Sequence, residues 1–171
     1  MKIGIVSDTH SNMPFLCRVV ESLIKNHRVE KIYHLGDSYL DSRRLLDYSV
    51  AVKAVPGLYD PEYVESSVEP LVVDENDGVN VLLAHDKLKI TPAWLTKAHL
   101  VVFGHTHQAA IYQEQGKIWC NPGHLKSPLD KKQPPSFALL EINPQVITIS
   151  IRNLEDSVTQ EKQFSRLEII F

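Results

Sequence analysis

The sequence has few of the features that mark secreted or membrane proteins. Of its 171 residues only two are cysteines, Cys17 and Cys120, and they form no Cys-x-x-Cys pair. Two cysteines in a chain of this length indicate free thiols in a reducing compartment, so we expect a cytoplasmic protein. No apolar run approaches the roughly 18 residues that span a bilayer. The apolar stretch 3–6, which follows Lys2, is also too short for the core of a secretory signal.

An excess of charge of either sign is also lacking. The formal net charge is −3 and 43% of the residues are hydrophobic. A disordered chain would be more polar, and a nucleic-acid-binding protein would be more basic, so we expect neither disorder nor a nucleic-acid partner. A chain of this length is sufficient for one domain that buries about 70% of the surface exposed by its unfolded form.

Possible metal ligands occur in four groups, each directly after a run of mostly apolar residues. Such runs are typical of buried strands. The groups are Asp8-Thr9-His10, Gly36-Asp37, Ala84-His85 and Gly104-His105-Thr106-His107. Because open α/β sheets bind ligands just outside the carboxyl ends of their strands, we expect these side chains to converge. Mixed carboxylate and imidazole ligation suits manganese, iron, zinc or nickel better than calcium or magnesium.

The order and spacing of these groups resemble the calcineurin-like metallophosphoesterases, and most closely their small YfcE-like phosphodiesterases. The family pattern runs Asp-x-His, Gly-Asp, Gly-Asn-x-Asp, His-Gly, Gly-His-Thr-His and a late Asn-Pro-Gly-Ser. In this chain the remaining motifs read Gly57-Leu58-Tyr59-Asp60, His85-Asp86 and Asn121-Pro122-Gly123-His124. The resemblance extends from position 1 to about 150. It implies a single metallophosphoesterase-like domain over 1–171, with 153–171 as a C-terminal extension.

The resemblance also implies a fold and a cofactor. The fold would be an α/β four-layer αββα sandwich, in which two mixed β-sheets are flanked by helices. The site would hold two divalent transition metals. Asp8, His10 and His107 would bind the first metal, and Asp37 would bridge the two. The reaction would be hydrolysis of a small-molecule phosphodiester.

This chain departs from the family pattern in the ligands of the second metal. In the family pattern His85, His105 and an asparagine would bind this metal, but the position of that asparagine is occupied here by Leu58. A leucine has no lone pair, so the resemblance implies a weakly held second metal. We assign the catalytic roles to Asp37 and His105, with His105 acting as a ligand and not as a base.

Two other motif positions also differ, and the sequence leaves their roles open. Asp86 stands where the family has glycine. It could supply an oxygen to the second metal, or it could be a solvated turn acid, since adjacent strand residues point to opposite faces. His124 stands where the family has serine. It could contact a phosphate or donate a proton near neutral pH, or have no part in the chemistry.

Two classes of function therefore fit the sequence. One is a metal-dependent phosphodiesterase with a dinuclear mechanism and a weakened second site. The other is a binding or scaffold protein on the same fold, similar to the phosphoesterase-like subunit of retromer, whose ligand set is also incomplete. The six retained ligands favour the enzyme, whereas Leu58 favours the scaffold.

Local patterns predict the elements between the motifs. Asn12 is expected to cap a helix that has Pro14 in its first turn, and short strands dominate after position 70. Near the C-terminus, the alternation of Leu167, Ile169 and Phe171 predicts a terminal strand. That strand would cover a sheet edge or contact a neighbouring subunit of a homo-oligomer.

Overall fold

The computed structural model describes residues 1–169, which form two β-sheets and several helices. The strands are β1 (Lys2–Val6), β2 (Lys31–His34), β3 (Ala51–Ala54), β4 (Leu71–Asn76), β5 (Val79–Ala84), β6 (Leu100–Phe103), β7 (Ala110–Glu114), β8 (Lys117–Asn121), β9 (Ser136–Ile142), β10 (Val146–Asn153) and β11 (Val158–Ser165). The α-helices are α1 (Met13–Lys25), α2 (Asp41–Arg44), α3 (Pro61–Val64) and α4 (Pro92–Leu95). Shorter 3₁₀ turns cover Leu45–Tyr48, Lys87–Lys89 and Arg166–Glu168.

Both sheets are mixed. The six-stranded sheet has the order β11-β10-β9-β1-β2-β3, and the five-stranded sheet has the order β4-β5-β6-β8-β7. In the first sheet β1, β2 and β3 run parallel, and β9, β10 and β11 are added antiparallel. In the second sheet β5, β6 and β8 run parallel, with β4 and β7 antiparallel at the edges. The parallel strands of each sheet therefore bring their carboxyl ends to one edge.

The apolar residues form three clusters that define four layers. The largest cluster lies between the sheets, where Ile5 of β1 and Leu83 of β5 are fully buried. A second cluster packs α1 against the outer face of the six-stranded sheet. A third packs Trp94 of α4 against a cluster on the outer face of the other sheet that includes Trp119. The predicted αββα sandwich is confirmed.

Helix α1 follows the pattern read from the sequence. The Asn12 side chain accepts a hydrogen bond from the Phe15 N–H at 3.4 Å, and Pro14 lies in the first turn. These features satisfy an otherwise unpaired N–H and preset the backbone for a helix. Leu16 and Leu23 lie on the buried face. The helix is thus held to the sheet beside the loop that follows β1.

The prediction of a terminal strand at 167–171 is wrong for the described residues. The last strand, β11, ends at Ser165, and a 3₁₀ turn at Arg166–Glu168 follows it. Phe171 lies outside the described residues. Strand β11 pairs antiparallel with β10 at the edge of the sheet, and most of its side chains are exposed. Its polar sequence therefore lacks the alternation that marks a half-buried strand.

Two further expectations concern the cysteines and membranes. Cys17 and Cys120 are both free thiols, as predicted, and burial raises the pKa of Cys120 to about 12. Over residues 1–169 the helices are all too short or too polar to span a bilayer.

Candidate metal centre

The predicted ligands come from both sheets, at the carboxyl ends of four strands. Asp8 and His10 follow β1, Asp37 follows β2, His85 follows β5, and Gly104-His105-Thr106-His107 follows β6. The backbone N–H of His105 donates to both carboxylate oxygens of Asp8, at 3.2 and 3.1 Å. This contact joins a loop of one sheet to a loop of the other. The edge where the two sheets meet is therefore the site.

Four of the ligands form a compact cluster. Asp8, His10, Asp37 and His107 each offer a donor atom, and these atoms lie within 4.8 Å of one another. The His107 Nε2 lies 3.2 Å from Asp8 Oδ1 and 3.4 Å from the Nε2 of His10. Two carboxylates and two imidazoles at these separations suit a transition metal. This is the group that the sequence predicted for the first metal together with the bridging aspartate.

Asp37 faces two sets of histidines. Its Oδ2 lies 3.4 Å from His10 Nε2, and its Oδ1 lies 3.4 Å from His85 Nε2. The His85 ring in turn lies 5.2 Å from the His105 ring, measured between centroids. The Asp37 carboxylate thus lies between His10 of the compact cluster and the pair His85 and His105.

The tautomer of His85 is set by the backbone. Its Nδ1 donates to the Leu35 carbonyl at 2.6 Å, so the neutral ring carries its lone pair on Nε2. That Nε2 is buried and has no hydrogen-bond partner among the described residues. A buried polar atom without a partner is costly, and a metal ion would satisfy it. The donor atoms therefore also fit a metal between Asp37 and His85.

The backbone around the ligands is strained. Five of the six predicted ligands have positive φ angles, which are uncommon for residues other than glycine. They are Asp8 (52°), His10 (45°), Asp37 (48°), His105 (64°) and His107 (64°). Such conformations cost roughly 1–3 kcal/mol each and cluster at functional sites. Their concentration here supports a site that is built for a ligand.

Two glycines allow the carboxylates to approach the backbone closely. A Cβ on Gly57 would overlap the Asp37 carboxylate. A Cβ on Gly104 would overlap the Ser7 hydroxyl and lie 2.7 Å from Asp8 Oδ2. The same Ser7 hydroxyl donates to Asp8 Oδ2 at 2.6 Å. The motif glycines are therefore needed for the positions of Asp8 and Asp37.

The candidate ligands shift one another's pKa values. Burial alone would raise the pKa of Asp8, but its hydrogen bond with His107 and other nearby histidine charges hold that pKa below its usual value. The same hydrogen bond raises the pKa of His107. Burial raises the pKa of Asp37 and lowers the pKa of His10. Burial here favours the neutral forms of both groups, and a bound cation would favour the ionised Asp37 carboxylate.

The loop that carries Leu58 is firmly anchored. The Asp60 carboxylate accepts hydrogen bonds from the backbone N–H groups of Ser38 (2.8 Å), Tyr39 (3.0 Å) and Gly57 (2.7 Å). These bonds connect the Leu58 loop to the loop of Asp37. Position 58 is therefore held next to the ligands although its side chain cannot ligate.

The Leu58 side chain lines a cleft of about 10 Å³ that His85 and Asp86 also line. That volume is about the room of one water molecule. The Asp86 Oδ1 accepts a hydrogen bond from the Leu88 N–H at 2.9 Å and begins the 3₁₀ turn Lys87–Lys89. This contact favours the turn-acid interpretation of Asp86, but the residue is buried, so the expectation that it is solvated is wrong. Asp86 is not among the four clustered donors.

His124 lies near the cluster but is turned away from solvent. It is fully buried, and its ring lies 5.3 Å from that of His107. Its Nε2 donates to the Gln133 carbonyl at 3.1 Å, and its Nδ1 accepts from the Lys126 N–H at 3.2 Å. Because both nitrogens contact backbone groups, this geometry does not support contact with a phosphate or proton donation to a leaving group.

The sequence analysis missed Asp130. Its Oδ2 lies 2.5 Å from His107 Nδ1, and its Oδ1 lies 3.0 Å from Lys126 Nζ. These two partners, Lys126 first, lower the pKa of Asp130 to about 2. In the sequence this aspartate lies in a loop between Pro128 and Pro134. A polar residue in a proline-bounded loop carries no signal that would place it beside a ligand 23 positions earlier.

Comparison with known proteins settles the family. Residues 1–145 match the calcineurin-like phosphoesterase superfamily domain. The chain belongs to this superfamily. A curated relative, a phosphodiesterase of Methanocaldococcus jannaschii, is 25% identical over 139 residues, which cover 72% of this chain and 83% of the relative.

Solved structures share the fold. The YfcE phosphoesterase of E. coli has a TM-score of 0.75 and 24% identity, covering 95% of this chain and 98% of that one. Vps29 of Entamoeba histolytica, in complex with Zn²⁺, has a TM-score of 0.69 and 23% identity, covering 96% and 99%. The fold is therefore common to a phosphoesterase and to a Vps29.

Proposed function

We propose that this protein is a metal-dependent phosphodiesterase that uses two divalent transition metals. The single observation that carries the proposal is the position of Asp37. One of its oxygens faces His10 and the other faces His85, each at 3.4 Å. A carboxylate between two sets of imidazole nitrogens is the arrangement that a bridging ligand requires. The proposed metals are manganese, iron, zinc or nickel, since these accept such ligands.

The same geometry supports the ligand roles that the family resemblance implies. Asp8, His10 and His107 hold the first metal, and their donor atoms cluster with that of Asp37. His85, whose Nε2 lacks a hydrogen-bond partner, and His105 hold the second. Leu58 provides no donor there, so the second metal is the weaker one.

In this proposal the chain's own residues hold the metals that would act on the substrate. Bound metals supply Lewis-acid polarisation of the phosphoryl group and activation of water. Asp37 would contribute a carboxylate oxygen to each metal position, and its positive φ and the close packing of Gly57 set where that carboxylate lies. His105 acts as a ligand, and its backbone N–H holds Asp8 in place. The substrate class is a small-molecule phosphodiester.

Replacement of Asp37 by asparagine tests the proposal. Asp37→Asn keeps the size of the side chain but removes the charge that both metals share. Hydrolysis of bis(4-nitrophenyl) phosphate should require added metal and should fall at least about 100-fold in this variant, since each position loses an anionic ligand. Asp47→Asn is the matched control, because Asp47 is exposed and lies away from the cluster. Activity that survives chelation, or that is equal in the two variants, would contradict the assignment.

A second candidate function is a scaffold or binding protein on the same fold. Leu58 is the observation that favours it, since the second ligand set is incomplete without a donor at position 58. The fold likeness to Vps29 is consistent with this alternative. A protein that binds metal stoichiometrically but hydrolyses no phosphodiester with any of the four metals would favour the scaffold over the enzyme.

A further inference from the structure

A tight turn next to the cluster presents Asp130 to His107. Asp130 and Gln133 exchange two backbone hydrogen bonds, of 3.0 and 2.7 Å, around two intervening residues. Those residues, Lys131 and Lys132, have φ angles of 48° and 63°. Two-residue turns with two positive φ angles normally use Asn or Gly, so two lysines here are strained. The surrounding contacts must hold the turn in this form.

His124 supplies those contacts. Its two ring nitrogens bind the Gln133 carbonyl at one end of the loop and the Lys126 N–H at the other. The Ser136 N–H also donates to the His124 carbonyl at 3.0 Å. His124 is fully buried, so these hydrogen bonds have no competition from water. The loop 124–133 is thus fixed at both ends.

The fixed loop places a carboxylate on the outer nitrogen of a metal ligand. The Asp130 Oδ2 accepts from His107 Nδ1 at 2.5 Å, while His107 Nε2 faces Asp8 and His10. Metal-binding histidines commonly donate their other N–H to a carboxylate, which fixes the tautomer and raises the basicity of the ligating nitrogen. Asp130 is 17% exposed and therefore only partly screened by solvent.

We propose that Asp130 is a positioning residue for the first metal site, held by the His124-anchored turn so that the Nε2 of His107 is directed at the metal. This inference rests on the proposed function for the identity of the metal site. The same inference assigns a structural role to His124, which holds the turn in place and does not contact substrate. The first site is thereby reinforced in a chain whose second site lacks a ligand at position 58.

An alternative role for Asp130 is to stabilise the loop through its ion pair with Lys126. The two roles predict different results. Lys126→Ala removes the ion pair but leaves Asp130 opposite His107. Asp130→Asn removes the charge but keeps an oxygen that accepts from Nδ1. Asp130→Ala removes both interactions.

Metal affinity of the four proteins separates these roles. The dissociation constant of the first Zn²⁺ would be measured by competition with a chromogenic chelator. Asp130→Ala should weaken it by about 10- to 100-fold, as removal of an outer partner of a ligand usually does. Asp130→Asn should recover most of that loss, and Lys126→Ala should bind as tightly as the wild type or more tightly, since a nearby positive charge is removed. Equal losses in Asp130→Ala and Lys126→Ala, or in Asp130→Ala and Asp130→Asn, would overturn the proposal.

A measurement on the metal-free protein keeps the inference separate from the proposed function. Nitrogen-15 NMR of the His107 ring, at a pH where the ring is neutral, should find the proton on Nδ1 in the wild type. Asp130→Ala should lose this preference, and Asp130→Asn should retain it. The same tautomer in the wild type and in Asp130→Ala would refute the positioning role. A wild-type protein that binds no Zn²⁺ would contradict the proposed function, and the NMR result would still decide the role of Asp130.

Discussion

Replacement of Gly104 by alanine should displace the Asp8 carboxylate and weaken the first metal site. The added Cβ would lie 2.7 Å from Asp8 Oδ2 and would overlap the Ser7 hydroxyl. The carboxylate must move by roughly 0.7 Å before this contact becomes ordinary, whereas a functional site tolerates about 0.5 Å. The added methyl group should also cost about 1–3 kcal/mol of stability, as overpacking of a buried region does.

The expected loss of metal affinity is about 10- to 100-fold, comparable to the loss of an outer partner of a ligand. The assay is Zn²⁺ competition with a chelator, together with thermal unfolding of the metal-free protein. Gly116→Ala is the matched control, because its added Cβ would have no atom within 4 Å. Gly116 has a φ of 71°, so this control should lose about 1 kcal/mol of stability but no metal affinity. A Gly104→Ala protein that binds Zn²⁺ as tightly as the wild type would refute the claim that close packing positions Asp8.

Two other perturbations give independent checks. Leu58→Asn should supply the missing oxygen, tighten binding of the second metal and raise turnover by about 10-fold or more. If the rate and the metal stoichiometry stay unchanged, either the site has been rebuilt around leucine or catalysis has been lost. Asp86→Ala then separates the two, because only a rebuilt site should lose metal or activity with it. Asp74 contacts Lys31 (2.5 Å) and Lys53, and although burial alone would raise its pKa, these lysines lower it to about 2. Because this folded-state pKa lies below the unfolded value, the stabilisation is present above about pH 4 and is lost as the pH falls towards 2. Asp74→Asn should therefore lower the free energy of unfolding by roughly 1–2 kcal/mol at pH 7, a value that allows for the partial screening of Lys53 by solvent. Near pH 2 the loss should be almost zero. Urea unfolding at both pH values measures this difference, and an equal loss at the two would contradict the reasoning.

The sequence predicts where the candidate ligands lie because each of them follows an apolar run. Asp8, Asp37, His85 and the segment 104–107 all lie directly beyond buried strands. The carboxyl ends of parallel strands meet at one edge, which explains why the side chains converge within each sheet, whereas the meeting of the two edges depends on how the sheets pack. The two mixed sheets follow from the same alternation of elements and from the family resemblance.

The loop beyond β8 could not be predicted in the same way. The contact between Asp130 and His107 depends on a turn through Lys131 and Lys132, whose positive φ angles are not signalled by Gly or Asn. The sequence predicted that His124 lies near the candidate ligands, and its ring lies 5.3 Å from that of His107, but the sequence did not reveal that the backbone of Gln133 and Lys126 occupies both its nitrogens. Such long-range contacts arise from tertiary packing and not from local pattern.

The C-terminal strand was misplaced for a related reason. Alternating apolar residues at 167 and 169 suggested a strand, but Leu167 lies in a 3₁₀ turn and is 89% exposed. The true edge strand, β11, is polar because most of its side chains face solvent. Alternation predicts a strand only where one face is buried.

The most direct test of the proposed site is the number of metal ions bound per chain as Mn²⁺, Zn²⁺ or Ni²⁺ is added to the wild-type protein. The arrangement of Asp8, His10, Asp37 and His107 predicts one tightly bound ion per chain. A second ion should bind only at a concentration about 10- to 100-fold higher, because Leu58 offers no ligand. A protein that remains metal-free after reconstitution with all three metals would contradict the account.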